Sequence, residues 1–121
     1  MTTKISQVIE EFTKPWGKEE LLEKNGNFMV KRLTMHKGHC CSIQYHEIKR
    51  ETVYVLSGIL KIYLGPDKDS MEELILKSGD SITIKPFEVH RMESIEDSVY
   101  LEASTPELDD VIRLEDKYNR T

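Results

Sequence analysis

The sequence has little cysteine: two residues among 121, and these are neighbours, Cys40 and Cys41. Adjacent cysteines rarely bond to each other, because a trans peptide does not readily provide the Cβ geometry of a disulfide. Two such thiols cannot link distant segments, so disulfides are excluded as the source of stability. The hydrophobic core must hold the fold, and a chain of this length is large enough to bury one as a single domain.

Long apolar runs and an excess of basic charge are also missing. No apolar stretch reaches the roughly 18 residues that span a bilayer. The 17 basic residues are outnumbered by 22 acidic ones, and no basic stripe offsets the net charge of −5, which excludes a general nucleic-acid binder. The N-terminus lacks the apolar centre of a signal peptide. We therefore expect a cytoplasmic protein with neither membrane nor nucleic-acid partners.

Short apolar stretches bounded by Gly, Pro and Asp make up most of the chain, which is typical of a β-sandwich or small barrel. No helical stretch of about 10–15 residues separates them, as a parallel α/β fold requires. Residues 1–13 are the exception, because Ile5, Val8, Ile9 and Phe12 have the spacing of one apolar helix face. We expect a short helix in this N-terminal segment, stopped by Lys14-Pro15, and then one all-β domain over residues 14–121. The predicted strands cover an extended run from residue 28 to 35, then 40–46, 52–56, 59–64, 71–76, 81–84, 89–93 and 98–104, with an edge strand and polar tail in 108–120.

Five cysteine and histidine side chains lie within residues 36–46 and suggest a zinc site by composition. In a strand, however, successive side chains point to opposite faces, so Cys40 and Cys41 cannot bind one ion together. We interpret these two cysteines as packing residues, one on each face. His36 and His39 flank Gly38 in a predicted turn, and we expect both to be exposed.

A less conspicuous set of residues predicts a metal site. Gln44 and His46 share one face of the predicted strand, while Cys41, Ile43 and Tyr45 share the other. Glu51 precedes the next strand and His90 opens a later one, so short bends could bring both into the same pocket. Two imidazoles, one carboxylate and one amide oxygen suit Zn²⁺, Fe²⁺, Mn²⁺, Co²⁺ or Ni²⁺ better than a soft, thiolate-selecting ion. The predicted metal ligands are Gln44, His46, Glu51 and His90.

The spacing of these residues resembles the two cupin motifs. Gly38-x5-Gln44-x-His46-x4-Glu51-x6-Gly58 has the spacing of the first motif, and Gly79-x10-His90 that of the second. The chain departs from the usual pattern at three places: Gln44 stands for a histidine, Lys85-Pro86-Phe87 for Pro-x-Gly, and Ser94 for an asparagine. The resemblance implies an all-β, double-stranded β-helix (jelly-roll) cupin barrel.

Within the cupins, the chain resembles the C-terminal domain of type II phosphomannose isomerases, found in bifunctional mannose-1-phosphate guanylyltransferase/mannose-6-phosphate isomerases. The motifs that carry the resemblance run in order from about residue 14 to residue 120. The family stretch His-His-Arg-Ala-Glu-His-Trp is altered here to Glu47-Ile48-Lys49-Arg50-Glu51-Thr52-Val53. The matching motifs are Lys14-Pro15-Trp16-Gly17, Val30-Lys31-Arg32-Leu33, Ser42-Ile43-Gln44-Tyr45-His46 and the segment from Arg113 to Arg120.

This resemblance implies a metal-dependent sugar-phosphate isomerase that interconverts an aldose and a ketose through an enediol, in the supply of polysaccharide or nucleotide-sugar precursors. Zinc is the first expectation for the metal, with iron, manganese, cobalt or nickel as alternatives. Lys49, Arg50, Arg32 and Arg113 are the candidate phosphate contacts, by charge, and the catalytic base is not identified. A homodimer is expected from the family and from outward apolar residues such as Ile43 and Tyr45. Two alternatives stay open: a non-catalytic cupin that binds a sugar or small acid, and a small non-haem metal oxygenase.

Overall fold

Eleven strands follow one another along residues 4–118, the part of the chain that the computed structural model describes. Every strand pair is antiparallel, which confirms the all-β prediction. No helix in this part of the chain is long and apolar enough to cross a membrane. The strands are β1 Glu10–Lys14, β2 Gly17–Lys24, β3 Met29–Met35, β4 Ile43–Tyr45, β5 Glu51–Ser57, β6 Ile59–Gly65, β7 Glu72–Lys77, β8 Ser81–Ile84, β9 Val89–Ser94, β10 Ser98–Ser104 and β11 Ile112–Glu115.

The strands form two sheets that face each other across the interior, in the jelly-roll arrangement expected from the sequence. One sheet has the order β1-β2-β3-β10-β5-β8 and the other has the order β11-β4-β9-β6-β7. Strands that are distant in the chain are therefore neighbours, and β10 pairs with both β3 and β5. This order brings side chains from distant parts of the sequence to one interior.

The interior is apolar along one part of its strands and polar along the rest. On β3 the inward residues Leu33 and Met35 belong to the core, whereas Lys31, two residues earlier, is also buried. On three more strands a buried apolar residue lies two positions away from a buried polar residue. This spacing keeps both side chains of each pair on the same face of the strand. Those pairs are Val53 with Glu51 on β5, Met92 with His90 on β9, and Tyr100 with Glu102 on β10.

The expected N-terminal helix is wrong. Residues 10–14 form β1, which pairs with β2 from Glu10 opposite Leu21 to Lys14 opposite Gly17, and residues 4–8 have no regular structure. The predicted apolar helix face is largely exposed, with accessible fractions of 92% for Ile5, 39% for Val8 and 58% for Ile9, and only Phe12 is part-buried. Ladder hydrogen bonds to β2 therefore determine the conformation, whatever the helical spacing favours. Residues 1–3 lie outside the described part of the chain, and so does Arg120.

Pro15 and Trp16 form the tight turn between β1 and β2, which explains the Lys-Pro-Trp-Gly motif in packing terms. Trp16 is almost fully buried in the hydrophobic core. Gly17 follows with φ +151°, and a Cβ added there would lie 1.9 Å from the carbonyl oxygen of Thr34. A side chain at this position would overlap backbone atoms of the neighbouring strand.

The conspicuous cysteines and flanking histidines form no metal-binding cluster among residues 4–118. Both cysteines are free and buried, as expected of packing residues, and burial raises the pKa of the Cys41 thiol to about 12. The predicted orientation of Cys41 is wrong, because Cys41 packs in the core on the same side as Gln44. Residues 41–42 precede β4, so the alternation of side chains along a strand does not apply to them. His36 is exposed, as expected. His39 is only half-buried, and its Nδ1 lies 2.6 Å from the Tyr118 hydroxyl.

Candidate metal centre and its pocket

Three of the four predicted ligands converge on one point inside the barrel. The Nε2 atom of His46 lies 3.2 Å from Oε1 of Glu51, and Nε2 of His90 lies 3.4 Å from the same oxygen. All three side chains are almost completely shielded from solvent. His46 follows β4, Glu51 begins β5 and His90 lies near the start of β9, so the fold brings together residues up to 44 positions apart.

The hydrogen bonds of the two histidines determine which ring nitrogens face inward as lone pairs. His46 Nδ1 donates to the backbone carbonyl of Asp110 at 2.5 Å, and His90 Nδ1 donates to that of Glu88 at 2.9 Å. A carbonyl oxygen only accepts, so each Nδ1 carries the proton and a neutral ring leaves its Nε2 unprotonated. Two lone pairs and a carboxylate oxygen therefore meet with no proton between them. This arrangement suits a cation at the centre.

A divalent metal ion fits this donor set. Ligand atoms about 2.0–2.1 Å from one tetrahedral ion lie about 3.3–3.4 Å apart, close to the two separations measured here. His90 Nε2 is buried and has no hydrogen-bond partner among residues 4–118, as expected of an atom that awaits a ligand. The backbone carbonyls that orient both rings are the usual outer partners of metal-bound histidine. The cluster of His46, Glu51 and His90 could thus hold a metal.

Gln44, the fourth predicted ligand, lies directly beside this cluster. It is paired with His90 in the register between β4 and β9, and its side chain lines the pocket next to the histidines. Its Oε1 accepts a hydrogen bond of 2.6 Å from the Ser42 hydroxyl. The amide oxygen has a second lone pair, so this bond orients Gln44 without preventing it from binding a metal.

Lys49 places a positive charge beside the cluster of His46, Glu51 and His90. Its Nζ lies 3.4 Å from Oε2 of Glu51, and both side chains are buried. Burial alone would raise the pKa of Glu51, but the charge of Lys49 is the largest of the effects that oppose burial, and that pKa lies well below its usual range. Burial would also lower the pKa of Lys49, and the Glu51 and Glu102 carboxylates reverse this effect. Glu51 is therefore ionised and available as a ligand.

Asp110 fixes the turn that carries His46 and Lys49. Its carboxylate accepts hydrogen bonds from the backbone N–H groups of Glu47 at 3.1 Å and of Ile48 and Lys49 at 2.8 Å each. Its carbonyl orients the His46 ring, as described above. Burial would raise the pKa of Asp110, but the three N–H groups outweigh it and lower that pKa. Sequence reasoning missed this residue, since nothing in the local pattern shows that the β10–β11 loop reaches the β4–β5 turn.

A pocket of about 290 Å³ opens next to the metal cluster. Its walls carry charges of both signs, and β1 contributes Phe12 and Lys14 in place of the expected helix. Two of the four predicted phosphate contacts, Lys49 and Arg113, line it. The other lining residues are Glu19, Lys31, Gln44, His46, Glu51, Glu102, Leu108, Asp109 and Val111.

Arg32 and Arg50, the other two predicted phosphate contacts, do not line this pocket. Arg32 alternates with the inward Lys31 on β3, so it points to the outer face of the sheet, where it forms a bidentate ion pair with Glu20 at 2.9–3.0 Å. Arg50 is exposed just before β5, whereas Lys49 beside it points inward. Charge alone selected these residues, and strand alternation already favours Lys31 over Arg32.

The four positions at which the chain lacks the histidines and the tryptophan of the family stretch, 47, 48, 52 and 53, are also outside the pocket lining. Glu47 and Ile48 are exposed in the β4–β5 turn, with Ile48 66% accessible to solvent. Thr52 bonds to Thr83 on the neighbouring strand at 2.9 Å, and Val53 belongs to the hydrophobic core. Their replacement therefore leaves the walls of the pocket intact.

Comparison with known proteins gives a family match along most of the chain. Residues 2–116 match the family described as mannose-6-phosphate isomerase C-terminal. Alginate biosynthesis protein AlgA of Pseudomonas aeruginosa is 31% identical over 121 residues, which are 92% of this chain and 23% of AlgA. Mannose-1-phosphate guanylyltransferase of Escherichia coli is 28% identical over 124 residues, covering 94% of this chain and 24% of that protein. The chain thus spans about a quarter of the length of these curated relatives.

Solved structures confirm the fold. The capsular polysaccharide assembling protein CapF from Staphylococcus aureus superposes with a TM-score of 0.77 at 19% identity, over 88% of this chain and 34% of CapF. KdgF from Halomonas sp. superposes with a TM-score of 0.70 at 20% identity, over 88% of this chain and 91% of KdgF. At this level of identity the likeness concerns the fold alone.

Proposed function

Because the chain belongs to the mannose-6-phosphate isomerase C-terminal family, we propose that it is a metal-dependent isomerase that interconverts mannose 6-phosphate and fructose 6-phosphate. Some relatives are named as xanthan and alginate biosynthesis proteins, so we propose the supply of polysaccharide or nucleotide-sugar precursors as the context, in the cytoplasm. The observation that carries the proposal is the convergence of two imidazole lone pairs and a carboxylate beside a pocket of sugar size.

His46, Glu51 and His90 would hold the metal, with Gln44 as fourth ligand. A bound divalent cation supplies Lewis-acid stabilisation of the negative charge that develops on the sugar oxygens during isomerisation. The chain's own residues prepare this site: Asp110 and Glu88 orient the rings, and Lys49 keeps Glu51 ionised. Zinc is the first candidate, and iron, manganese, cobalt and nickel suit the same donors.

The phosphate of the substrate would meet the basic side chains of the pocket. Lys14, Lys31 and Arg113 line it from three different strands, whereas Lys49 stays beside Glu51. Arg113 offers a planar guanidinium that can bind two phosphate oxygens together. Arg32, on the outer face, is excluded from this role.

Turnover of mannose 6-phosphate, measured with protein reconstituted separately with Zn²⁺, Mn²⁺, Fe²⁺, Co²⁺ and Ni²⁺, tests the proposal. We expect Arg113→Gln to raise KM about 10- to 100-fold, because charge-assisted hydrogen bonds contribute roughly 1.5–3 kcal/mol. The matched control Arg32→Gln should leave KM unchanged. Folded protein that gives no turnover with any of the five metals would overturn the proposal.

The same preparations distinguish the alternatives. Tight binding of a sugar or small acid without turnover, unaffected by chelators, would indicate a non-catalytic cupin. Oxygen consumption by the iron-loaded protein would indicate an oxygenase, a chemistry that two histidines and one carboxylate also suit.

A homodimer stays a prediction, and its surface needs revision. Ile43, expected to be outward and exposed, is buried within the chain. Tyr45 stacks on Phe87, whose side chain is 60% exposed next to the exposed Leu114. Sedimentation equilibrium of the wild type and of Phe87→Glu would test this surface, and a dimer should dissociate in the variant.

A further inference from the structure

Glu102 is a pocket carboxyl with no part in the proposed metal centre. It lies on β10, two residues after the core residue Tyr100, with Lys31 and Val53 opposite it on the two neighbouring strands. Its side chain lines the pocket of about 290 Å³ and also an adjacent cavity of about 40 Å³, which it shares with Gln44 and Arg113. A carboxyl in this position can reach a bound substrate.

The lysines nearest to Glu102 are engaged elsewhere. Lys31 pairs with Glu19 at 3.1 Å, and Lys49 pairs with Glu51 at 3.4 Å. No ion pair joins Glu102 to the basic side chains of residues 4–118. Burial, followed by the negative charge of Glu51, raises the pKa of Glu102 to about 8. In the metal-free protein the group therefore keeps its proton to a higher pH than an exposed glutamate does.

The other acids that line the pocket are less suited to carrying a proton. Glu51 is held by two histidines and Lys49, and Glu19 is paired with Lys31. Asp109 is exposed to solvent at the rim. Among these four, Glu102 alone combines burial with freedom from an ion pair to the side chains of residues 4–118.

Glu102 lines the same pocket as Gln44, His46 and Glu51. Gln44 and His90 belong to the five-stranded sheet, whereas Glu51 and Glu102 lie on the neighbouring strands β5 and β10 of the six-stranded sheet that faces it. A sugar bound between the sheets beside the metal ligands would therefore have this carboxyl within the same pocket. We propose that Glu102 is the catalytic acid–base that moves the proton between C2 and C1 of the substrate, an inference that rests on the proposed isomerase function.

The step conserves atoms and electrons. The Glu102 carboxylate takes the proton from C2 of the open-chain aldose; the C–H electron pair forms the C1=C2 bond, and the carbonyl π pair moves to O1, which gains a proton. The Glu102 carboxyl then returns its proton to C1, while O2 loses its hydroxyl proton and forms the C2 carbonyl. One hydrogen has moved from C2 to C1 and one proton from O2 to O1, with no external oxidant or reductant.

The test follows the exchange of the C2 hydrogen of mannose 6-phosphate with D₂O by NMR, together with turnover to fructose 6-phosphate. General acid–base catalysis contributes typically about 10²–10⁴-fold, so Glu102→Gln should lose exchange and turnover by at least about 100-fold. Glu102→Asp, with the carboxyl one methylene shorter, should recover part of the rate. The matched control is Glu20→Gln, which replaces an equally buried glutamate on the outer face of the same sheet.

A pH profile separates a chemical role from a structural one. The charged groups that face Glu102 come from five strands and the turn before β5: Lys14 on β1, Glu19 on β2, Lys31 on β3, Lys49 and Glu51 around the start of β5, and Arg113 on β11. A bound cation would shift the titration of Glu102 below its metal-free position. We therefore expect log kcat/KM of the metal-loaded wild type to rise with pH and to level off below the metal-free pKa of about 8. The residual activity of Glu102→Gln should lack this rising limb, while its metal content should equal that of the wild type.

Each result decides the question. Loss of exchange and of the rising limb in Glu102→Gln, with activity kept in Glu20→Gln, supports the inference. Exchange in both the wild type and Glu102→Gln at similar rates overturns the inference and leaves the isomerase function standing. A folded, metal-loaded wild type that shows neither exchange nor turnover overturns the isomerase function itself, and the inference with it.

Discussion

Metal binding should stabilise the folded protein strongly, because His46, Glu51 and His90 are already arranged as ligands in the fold. A ligand that binds only the folded state adds RT ln(1 + [L]/Kd), which is about 2.7 kcal/mol at a hundred times Kd. The entropy of unfolding is about 2.1 cal/mol/K per residue, or about 0.25 kcal/mol/K for a chain of 121 residues. The melting temperature should therefore rise by about 11 °C, and by about 5–6 °C more for each further tenfold in metal.

The assay is a thermal melt of chelator-stripped protein, repeated over a series of Zn²⁺ concentrations and then with the other four metals. His90→Gln should lose most of the metal-dependent shift, because it removes a lone pair from the cluster. Comparing melts with and without metal for the same variant removes the effect of the substitution on the metal-free fold. His36→Ala is the matched control, since that histidine is exposed and should keep the full shift.

Two outcomes would refute this reasoning. One is a wild-type melting temperature that none of the five metals raises at millimolar concentration. The other is an equal shift in His90→Gln and in the wild type, which would mean that the metal binds at another site.

Three further predictions concern single side chains. Asp110→Ala should lower stability by about 2 kcal/mol because three backbone N–H groups lose their acceptor, and Asp110→Asn, which keeps an oxygen, should lose less stability. The pKa of Asp110 is lowered in the folded state, so its stabilising contribution should be present at neutral pH and should disappear below about pH 4 in urea titrations. The raised pKa of Glu102 makes the folded protein hold a proton that the unfolded chain releases, so the metal-free wild type should lose stability between about pH 4.5 and 8. Glu102→Gln should therefore be more stable than the wild type at pH 8. An equal pH dependence of the melting temperatures of the two proteins would contradict this prediction. Gly17→Ala should lower stability by at least about 2 kcal/mol, since its Cβ would overlap the Thr34 carbonyl, whereas Gly26→Ala, where a Cβ meets nothing, should have little effect.

Several features of the fold follow from local patterns that are visible in the sequence. Turn residues at short intervals predict antiparallel strands, and seven of the observed strands lie at or within about two residues of predicted ones. The N-terminal failure has a definite cause: Ile5, Val8, Ile9 and Phe12 satisfy a helical spacing, but the backbone of residues 10–14 pairs with β2 instead. Spacing reports which residues could share a face and does not report which surface is available to cover it.

The residues of the pocket also include some that a local pattern predicts and others that it does not. Alternation on β3 already separates the inward Lys31 from the outward Arg32, and alternation on β10 puts Glu102 on the face of Tyr100. Selection by charge alone overlooked both signals. Asp110 had no such signal, because its hydrogen bonds reach residues more than 60 positions away in the chain.

The sequence by itself determined the class of fold, the family, and the set of residues that could serve as ligands, because strand period, turn chemistry and motif spacing are properties of neighbouring positions. Only the tertiary structure decided that His46, Glu51 and His90 meet with their lone pairs inward and that Lys49 pairs with Glu51. It also decided that Glu102 is buried and forms no ion pair with the described residues 4–118. The physical reason is that ring orientation, burial and ionisation depend on strand order and on backbone partners far away in the chain. The strand order and the distant backbone partners are established when β10 pairs with β3 and β5, and no local pattern encodes them.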